Sequence, residues 1–434
     1  MPIAQSLSSL KHPPIPDREL NIRDFGAQPD SSHLNTDVFR RCIQQCADEG
    51  GGSVCVPAGT WRTGPIHFRS GVRLRLDEGS VLSFSTRPED YLPAVLTRWE
   101  GVECYNYSPL LYAHRCERIG IVGAGTLQGN GESWWPWKWL RHREAAADVY
   151  SAQARGIPVE ERRFGIPEML RPSFFQPFDC RDVLIEGVTF RNGPMWTVHP
   201  VYCEDVIVRK IRVLTDDEGP NTDGLNPDSC RNVLVEDSLF STGDDCIAIN
   251  SGMNEDGWRV GRPSENILIR NCRMEKGHGG LVIGSAMSGD VRNVYAHDCE
   301  CVGTERGIRL KSMRGRGGTV TDVRFERFSM RDILHEAITI DMYYGASTAD
   351  PVSDTAPRFS DIRIRDSVGR GAARAVHLRG LPEQPLENIT LEDVDIRAES
   401  GGQGVDVDGL SLRNVQITAG SGPPWTHTRV RLCS

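Results

Sequence analysis

Short apolar runs alternate with polar residues through most of the chain, and one arrangement recurs from residue 181 onward. An Asp or Asn is followed by three or four mainly apolar residues, as in Asp182-Val183-Leu184-Ile185. Such runs predict β-strands, and Asp and Asn tolerate the left-handed backbone that a tight corner requires. The recurring Asp and Asn positions are 182, 205, 232, 266, 293, 322, 361 and 388.

The intervals between these positions are 23, 27, 34, 27, 29, 39 and 27 residues. Repeats of this length indicate a solenoid, in which each repeat is one coil and stacked coils bury a continuous core. A second strand-like run later in each coil is typical of a parallel β-helix. We therefore predict an all-β fold, with residues 1–20 as an N-terminal lead-in and residues 21–434 as a single β-helix domain.

Two segments depart from the strand pattern. Residues 37–49 have helical periodicity, with Asn35 or Thr36 as a cap and Gly50-Gly51-Gly52 as the end. We expect this helix to cover the first coil, whose strand edges would otherwise be unpaired. Residues 129–171 form a long insertion with four tryptophans, which either pack together or offer flat faces to sugar rings beside the coils.

Charge and hydropathy exclude some classes of function. The net charge is -9, and Lys and Arg are spread along the chain, so we expect no nucleic-acid partner. The sequence has no apolar run of about 18 residues, which argues against a membrane span. The first twenty residues lack the apolar core of a secretory signal, so we expect a cytoplasmic protein, or a secreted one if the native N-terminus was trimmed. The oligomeric state is not predicted.

The thirteen cysteines are odd in number and contain no CxxC pair, which argues against a disulfide framework or a zinc site. We expect reduced, mostly buried thiols. Cys180, Cys203 and Cys230 each stand two residues before a recurring Asp or Asn, which predicts a stacked ladder.

Four polar motifs lie between residues 221 and 311, each beside a strand-like run. Positions 225, 247, 282 and 308 represent these runs and are 22, 35 and 26 residues apart. If each interval is one coil, the runs are neighbouring strands about 4.8 Å apart, and the polar groups share one patch. The motifs are Asn221-Thr222-Asp223-Gly224, Gly243-Asp244-Asp245, Gly277-His278-Gly279-Gly280 and Arg309-Leu310-Lys311.

The patch contains the groups that hydrolysis of a glycosidic bond needs. One carboxylic acid protonates the leaving oxygen and one carboxylate activates water, and Asp223, Asp244 and Asp245 are candidates for both roles. Crowding among them would raise at least one pKa. Arg309 and Lys311 alternate with apolar residues, so both point outward and suit a carboxylated substrate. Taken one at a time, each motif also has an ordinary explanation. The Asp pair could form a solvated turn, and Arg309 with Lys311 could form surface salt bridges. His278 could be an ordinary loop histidine.

The four motifs in this order resemble those of glycoside hydrolase family 28, the polygalacturonases and their relatives. The likeness extends over nearly the whole chain, from Asp24-Phe25-Gly26-Ala27 through the coils, with Leu310 as a conservative replacement of the usual Ile. The resemblance implies a right-handed parallel β-helix and an inverting hydrolysis of α-1,4-galacturonosyl bonds, with no metal and no cofactor. The implied partner is an oligogalacturonide or another pectic carbohydrate.

The resemblance also implies a role for each residue. Asp244 would be the general acid, and Asp223 with Asp245 would hold and deprotonate the attacking water. For inversion, we expect the opposing carboxyl groups to lie about 6.5 to 9.5 Å apart. His278 would be a fourth catalytic residue, which supports the acid's protonation or binds substrate. Asn221 would bind substrate, and Arg309 and Lys311 would bind the uronate carboxylate.

Two features bear on the subclass. His278 favours homogalacturonan over rhamnogalacturonan as the substrate. Residues 99–109, with the Trp-rich insertion, resemble bacterial exo-acting members, in which added loops close one end of the cleft. We therefore expect release of galacturonate from the non-reducing end. A rhamnogalacturonan- or xylogalacturonan-directed hydrolase and a non-catalytic carbohydrate-binding β-helix remain as alternatives.

Overall fold

The computed structural model describes residues 3–30, 32–140, 142–216, 219–345 and 352–433. Within these residues, strands dominate and are numbered here along the chain. The α-helices are α1 Ile3–Ser8, α2 Thr36–Asp48, α3 His142–Ala154 and α4 Asn254–Val260. The 3₁₀ helices are Ile22–Phe25, Pro88–Tyr91, Gly131–Ser133, Trp135–Trp139 and Val159–Glu161.

The strands stack in three parallel columns, with successive coils supplying successive strands of each column. The first column contains β1 Glu19–Asn21, β2 Gly52–Val56, β5 Val72–Leu76, β10 Glu117–Gly123, β13 Arg181–Glu186, β15 Glu204–Arg209, β17 Arg231–Glu236, β20 Ser264–Arg270, β23 Val291–Val302, β25 Thr319–Arg331, β27 Arg358–Arg379 and β28 Leu386–Leu432. The last four strands are long and bend through more than one column.

The second and third columns complete each coil. The second contains β3 Gly59–Thr63, β6 Ser80–Phe84, β11 Thr126–Gln128, β14 Thr189–Arg191, β16 Arg212–Leu214, β18 Leu239–Thr242 and β21 Arg273–Lys276. The third contains β4 Ile66–His67, β9 Leu111–His114, β12 Phe175–Phe178, β19 Ile247–Ile249, β22 Leu281–Ile283, β24 Ile308–Lys311 and β26 Glu336–Asp341. This arrangement is a parallel β-helix, as predicted.

The recurring Asp and Asn residues form the corner that begins each first-column strand. All eight have a left-handed backbone, with φ between 51° and 57°. Their side chains form a ladder, since Asn232 donates to Asp205 at 2.9 Å, Asn266 to Asn232 at 3.0 Å and Asn293 to Asn266 at 2.7 Å. The prediction of coil corners at these positions is confirmed.

The interior between the columns is filled by aliphatic side chains in register. Val183, Val206, Val233 and Ile267 pair along the first column, and each is fully buried. The thirteen cysteines are all free thiols, and only Cys433 is exposed. The expectation of reduced, mostly buried thiols is therefore confirmed.

The N-terminal helix α2 covers the first coil, as predicted. It buries five apolar residues there: Val38, Phe39, Cys42, Ile43 and Cys46. Asn35 is the N-cap residue, one of the two predicted, but its side chain forms no capping hydrogen bond because it has other partners. The buried Asn35 side chain bonds to the backbone of Gln28 and Arg62, and the Thr36 hydroxyl accepts from Gly64 N at 2.6 Å.

The lead-in before this helix packs along the coils. Leu7 of α1 is buried against outward-facing leucines and an isoleucine of the first column: Leu184, Ile207, Leu234 and Leu268. The predicted boundary after residue 20 falls inside β1, which pairs with β2. The division into a lead-in and one domain stays a prediction.

Helix α3, which belongs to the insertion, packs with a hairpin on the side of the solenoid. Strands β7 Val95–Trp99 and β8 Val102–Asn106 form this antiparallel hairpin. Trp134 and Trp135 are buried, whereas Trp139 is 69% exposed. Packing therefore explains the first two tryptophans but not Trp139. In the part of the chain that the structure describes, no helix is long and apolar enough to cross a membrane.

Candidate active site

The four predicted motifs meet on the outer face of the third column. Three of them, all but Gly277-His278-Gly279-Gly280, border a cavity of about 120 Å³, between the coils and the β7–β8 hairpin. Five of the predicted residues line it: Asn221, Asp223, Asp244, Asp245 and Lys311. The other lining residues include Glu100, Trp196, Asn250, Met253, Ser285 and Tyr344.

Strand register brings these motifs together, with one correction. Leu225 bridges to Ile247 as predicted, but Ile247 pairs with Leu281 rather than with Val282. Leu281 in turn pairs with Ile308, so these side chains form an inward column. The prediction was therefore one residue out. Side chains alternate along a strand, so Leu281 belongs to the inward column and Val282 to the outward one.

The outward column contains the two cations. Ile308 and Leu310 are fully buried in the core, and Arg309 and Lys311 point to the cavity side, as predicted. Lys311 Nζ lies 2.7 Å from Asp245 Oδ2, and an Arg309 guanidinium nitrogen lies 3.3 Å from Asp245 Oδ1. Burial is the largest single influence on Lys311 and opposes its charge, but Asp245, Tyr344 and Asp244 together raise the pKa of the ammonium.

The three carboxylates are closer together than predicted. One oxygen of each of Asp223, Asp244 and Asp245 lies within 4.8 Å of the others. The expected separation of 6.5 to 9.5 Å is therefore wrong for these nearest oxygens. Adjacent coils are about 4.8 Å apart, and the carboxylates come from adjacent coils, so they cluster on one surface. The stereochemistry of hydrolysis stays a prediction from the resemblance.

Asp223 has the raised pKa that crowding was expected to produce. Burial and the charges of Asp244 and Asp245 move its pKa well above 3.8, although Asn226 donates a hydrogen bond to it at 3.0 Å. The Asp223 carboxyl therefore holds its proton more strongly than an ordinary aspartate.

Asp244 shows the opposite behaviour. Burial raises its pKa, but the hydrogen bond and charge of His278 and the charge of Lys311 lower it to about 2. His278 Nδ1 lies 3.1 Å from Asp244 Oδ1, and this contact raises the pKa of the imidazole. In the free cleft the proton therefore resides on His278 rather than on Asp244, the residue that the resemblance implies as the acid.

Asn221 is held by a residue that the sequence did not indicate. The buried Arg171 donates to Asn221 Oδ1 at 2.7 Å and to the carbonyl oxygens of Pro194 and Pro220. Burial lowers the pKa of Arg171 to about 10. Asn221 itself has φ of 54°, so this guanidinium fixes both its amide and the unusual corner on which it stands. A lone Arg in the insertion carries no local motif that would have revealed this role.

A second cavity of about 230 Å³ adjoins the first and shares Lys311 and Tyr344 with it. Arg309 lines this second cavity and not the first. The Tyr344 ring lies 4.9 Å from Lys311 Nζ and 5.7 Å from the Arg309 guanidinium carbon. Tyr344 was not predicted from the sequence. It stands just after the strand that follows the two cations, and this position could have indicated it.

The protein was compared with known families, and the model of glycosyl hydrolases family 28 matches residues 167–418, which include all four motifs. The chain belongs to glycoside hydrolase family 28. This membership makes it a glycoside hydrolase and sets aside the non-catalytic alternative. The resemblance inferred from the motifs is thus confirmed.

Relatives of this family 28 chain include exo-acting enzymes. A solved structure of a hyperthermoactive exopolygalacturonase from Thermotoga maritima is 39% identical, covers 97% of this chain and 96% of its own, and superposes with a TM-score of 0.90. A "Probable polygalacturonase" of Vitis vinifera is 29% identical over 95% of this chain and 82% of that protein. An "Exo-poly-alpha-D-galacturonosidase" of Dickeya chrysanthemi is 25% identical over 82% of this chain and 63% of that protein.

Proposed function

We propose that this protein hydrolyses the α-1,4-galacturonosyl bond at the non-reducing end of oligogalacturonides and releases single galacturonate units. The observation that carries the proposal is the pair of joined cavities. The smaller one contains the carboxylates, and the larger one is bordered by Arg309. One terminal sugar ring fits the smaller cavity, and the rest of the chain extends over the larger one.

Two of the carboxylates divide the acid and base roles. Asp244 protonates the glycosidic oxygen, and the proton comes from His278 through their 3.1 Å contact. Substrate removes water from this ion pair, and loss of water favours the neutral imidazole and carboxylic acid over the charged pair. The low pKa of Asp244 in the free cleft is consistent with this role for that reason.

Asp223 removes the proton of the attacking water. A base with a pKa raised towards the working pH is a better proton acceptor than an ordinary aspartate. Asp245 pairs with Lys311 and Arg309 and orients the same water. The water oxygen attacks the anomeric carbon as the glycosidic bond breaks, leaving Asp244 ionised and Asp223 protonated.

Arg309 and Lys311 have different tasks in this proposal. Lys311 is 7% exposed and lies 2.7 Å from Asp245, so it holds that carboxylate in position. Arg309 lines the second cavity beside Tyr344 and binds the carboxylate of the next uronate. Its planar guanidinium can bind a carboxylate in a bidentate manner.

Exo action is supported by the β7–β8 hairpin. The carbonyl oxygen of Gly101, at the tip of the hairpin, accepts a hydrogen bond from Met253 N at 3.1 Å. Any larger residue at this position would place its Cβ only 2.9 Å from the same nitrogen. The hairpin therefore closes tightly on the coil that carries Met253, at the side of the small cavity away from Arg309. In this proposal the substrate extends from the small cavity towards the second cavity and Arg309. The cytoplasmic location stays a prediction from the sequence.

A panel of defined pectic oligomers tests the proposal. Purified protein is incubated separately with oligogalacturonate, its methyl ester, rhamnogalacturonan and xylogalacturonan fragments, and the first product is identified by mass spectrometry. We expect galacturonate from oligogalacturonate and much slower reaction of the others. Faster cleavage of a rhamnose- or xylose-containing oligomer would replace this proposal with the corresponding alternative.

A further inference from the structure

The tip of the β7–β8 hairpin places a fourth carboxylate in the small cavity. Glu100 lines this cavity together with Asp223, Asp244 and Asp245. Its backbone has φ of 43°, a conformation that is uncommon for a residue other than glycine. The reaction proposed above needs no fourth carboxylate, so Glu100 requires a separate explanation.

The hairpin is fastened firmly enough to fix the position of this side chain. The fully buried Arg98 donates to Asp228 Oδ1 and Ser229 Oγ, both at 2.9 Å, and to the Gly101 carbonyl at 3.2 Å. On the other strand, Glu103 N donates to Asp256 at 2.8 Å. A separate apolar cluster joins the hairpin to the insertion and the cavity wall, through Trp99, Val102, Ala146, Val149, Trp196 and Met253.

The contacts of Glu100 hold its carboxylate in place and leave it at the cavity wall. The Tyr150 hydroxyl, which comes from α3, donates to Glu100 Oε2. Arg171 and Arg316 are near enough for their charges to interact with Glu100. Among the described residues, neither forms an ion pair with it within 4.0 Å. An ionised carboxylate has only acceptor oxygens, so its natural ligands are hydroxyl groups.

The position of Glu100 in the cavity gives it a direction relative to the substrate. Glu100 borders the small cavity and a cavity beside Trp139 and Tyr150, but not the second cavity. Arg309 borders the second cavity and not the small one. A uronate chain that reaches Arg309 therefore presents its last sugar to Glu100. At a chain end this sugar offers free ring hydroxyl groups, but inside a polymer it would bring a further uronate with its own negative charge.

We propose that Glu100 is the residue that restricts cleavage to the chain end, by accepting hydrogen bonds from the terminal uronate's hydroxyl groups and by repelling a further uronate. This inference rests on the proposed function. Attraction to one substrate and repulsion of its competitor together give specificity. Tyr150 is a positioning residue, because it acts through Glu100.

Two variants test this assignment. Glu100→Gln keeps the shape and removes the charge, and Glu100→Gly removes the side chain at a backbone conformation that glycine adopts readily. The matched control is Glu144→Gln, which makes the same charge change at an exposed position of helix α3. Circular dichroism and thermal unfolding establish that each variant is folded. The substrate is tetragalacturonate labelled at its reducing end, and products are separated by anion exchange.

We expect native protein and Glu144→Gln to release only galacturonate and the labelled trimer at first. Glu100→Gln should lower kcat/KM by about 10- to 100-fold, the usual effect of losing a hydrogen bond to a charged group. Glu100→Gly should also give labelled monomer or dimer among the first products. Monomer release at a native kcat/KM by either Glu100 variant would overturn the assignment. If native protein cleaves no oligogalacturonate, the proposed function fails first, and that result is distinct from a failure of Glu100.

Discussion

Lys311 Nζ lies 2.7 Å from the Asp245 carboxylate, and both side chains are almost fully buried. Each charge therefore depends on the other, because an unpaired charge in such a place is costly. Arg309 is less buried and lines a cavity that Asp245 does not border. Arg309 and Lys311 look equivalent in the sequence, but we expect their removal to affect activity in different ways.

Lys311→Ala and Arg309→Ala should lose activity in different patterns. We expect Lys311→Ala to lower kcat/KM equally on free and methyl-esterified oligogalacturonate, because Asp245 loses its ammonium partner in both cases. The loss corresponds to about 2 to 5 kcal/mol of transition-state binding. Arg309→Ala should lose most on the free acid and little further on the ester. The comparison of each variant with native protein on both substrates is a double cycle. A larger loss for Lys311→Ala on the free acid than on the ester would show that Lys311 reads the uronate.

Asp244→Asn and Asp223→Asn should respond differently to the leaving group. Either change should lower turnover of oligogalacturonate by about 10² to 10⁴, the usual effect of losing a general acid or base. An aryl galacturonide with a good leaving group needs no protonation, so it should restore turnover in Asp244→Asn but not in Asp223→Asn. Restoration in Asp223→Asn alone would exchange the two roles.

The pH profile of kcat/KM should be bell-shaped, with both limbs displaced upward. The base Asp223 must be ionised, and its pKa is raised above 3.8, so the acidic limb lies above that value. The His278–Asp244 pair must retain one proton, and the pKa of His278 is raised above 6.5 by Asp244, so the basic limb lies above 6.5. In His278→Ala only a carboxyl group can hold this proton, and the basic limb should move to lower pH. An unchanged basic limb in this variant would contradict the proton's origin.

The anchor of the hairpin can be tested through stability. Arg98→Met leaves the fully buried Asp228 without its guanidinium and should cost roughly 3 to 5 kcal/mol in urea unfolding. Burial raises the pKa of Asp228, but Arg98 and His199 lower it overall. This carboxyl therefore contributes stability above its unfolded pKa of about 3.9, and the contribution is lost as pH falls through the folded pKa. The variant should show a weaker acid dependence than native protein, and an unaltered one would contradict this account.

The corner ladder supports a prediction about the fold. Asn266→Ala should destabilise the protein by about 1 to 3 kcal/mol for its left-handed backbone, in addition to two lost side-chain hydrogen bonds. Asn266→Gly loses the same bonds but tolerates the backbone, so it should be the more stable variant in chemical unfolding. Equal stabilities would mean that backbone conformation does not select the residue at these corners.

The sequence predicted the coils because the selecting force is local. A left-handed corner favours Asp or Asn, and the apolar run after each corner must enter the core, so Asp182 and its seven counterparts could be located without a structure. The four polar motifs stood beside runs of the same kind, which placed Asp223 and Lys311 on one surface. Strand register was less accurate, since loop lengths between Ile247 and Leu281 do not fix which residue pairs with which.

Properties that depend on several coils at once could not be predicted. The pKa values of Asp223 and Asp244 move in opposite directions because of partners up to 88 residues away in sequence, from Asp223 to Lys311. Arg171 has no motif of its own and reaches the cleft only through folding. Glu100 lies in the stretch 99–109 that indicated exo action, but the sequence did not single out its side chain. The close spacing of the carboxylates follows from the rise between coils rather than from the chemistry they perform.

The most direct test of the central claim is proton NMR of trigalacturonate during the first turnovers. Inverting hydrolysis from the non-reducing end predicts that galacturonate monomer and digalacturonate appear together. It also predicts that the new reducing end of the monomer is initially the β anomer. An initial α anomer would contradict inversion. The absence of cleavage would contradict the assignment of this protein as an enzyme that releases galacturonate from chain ends.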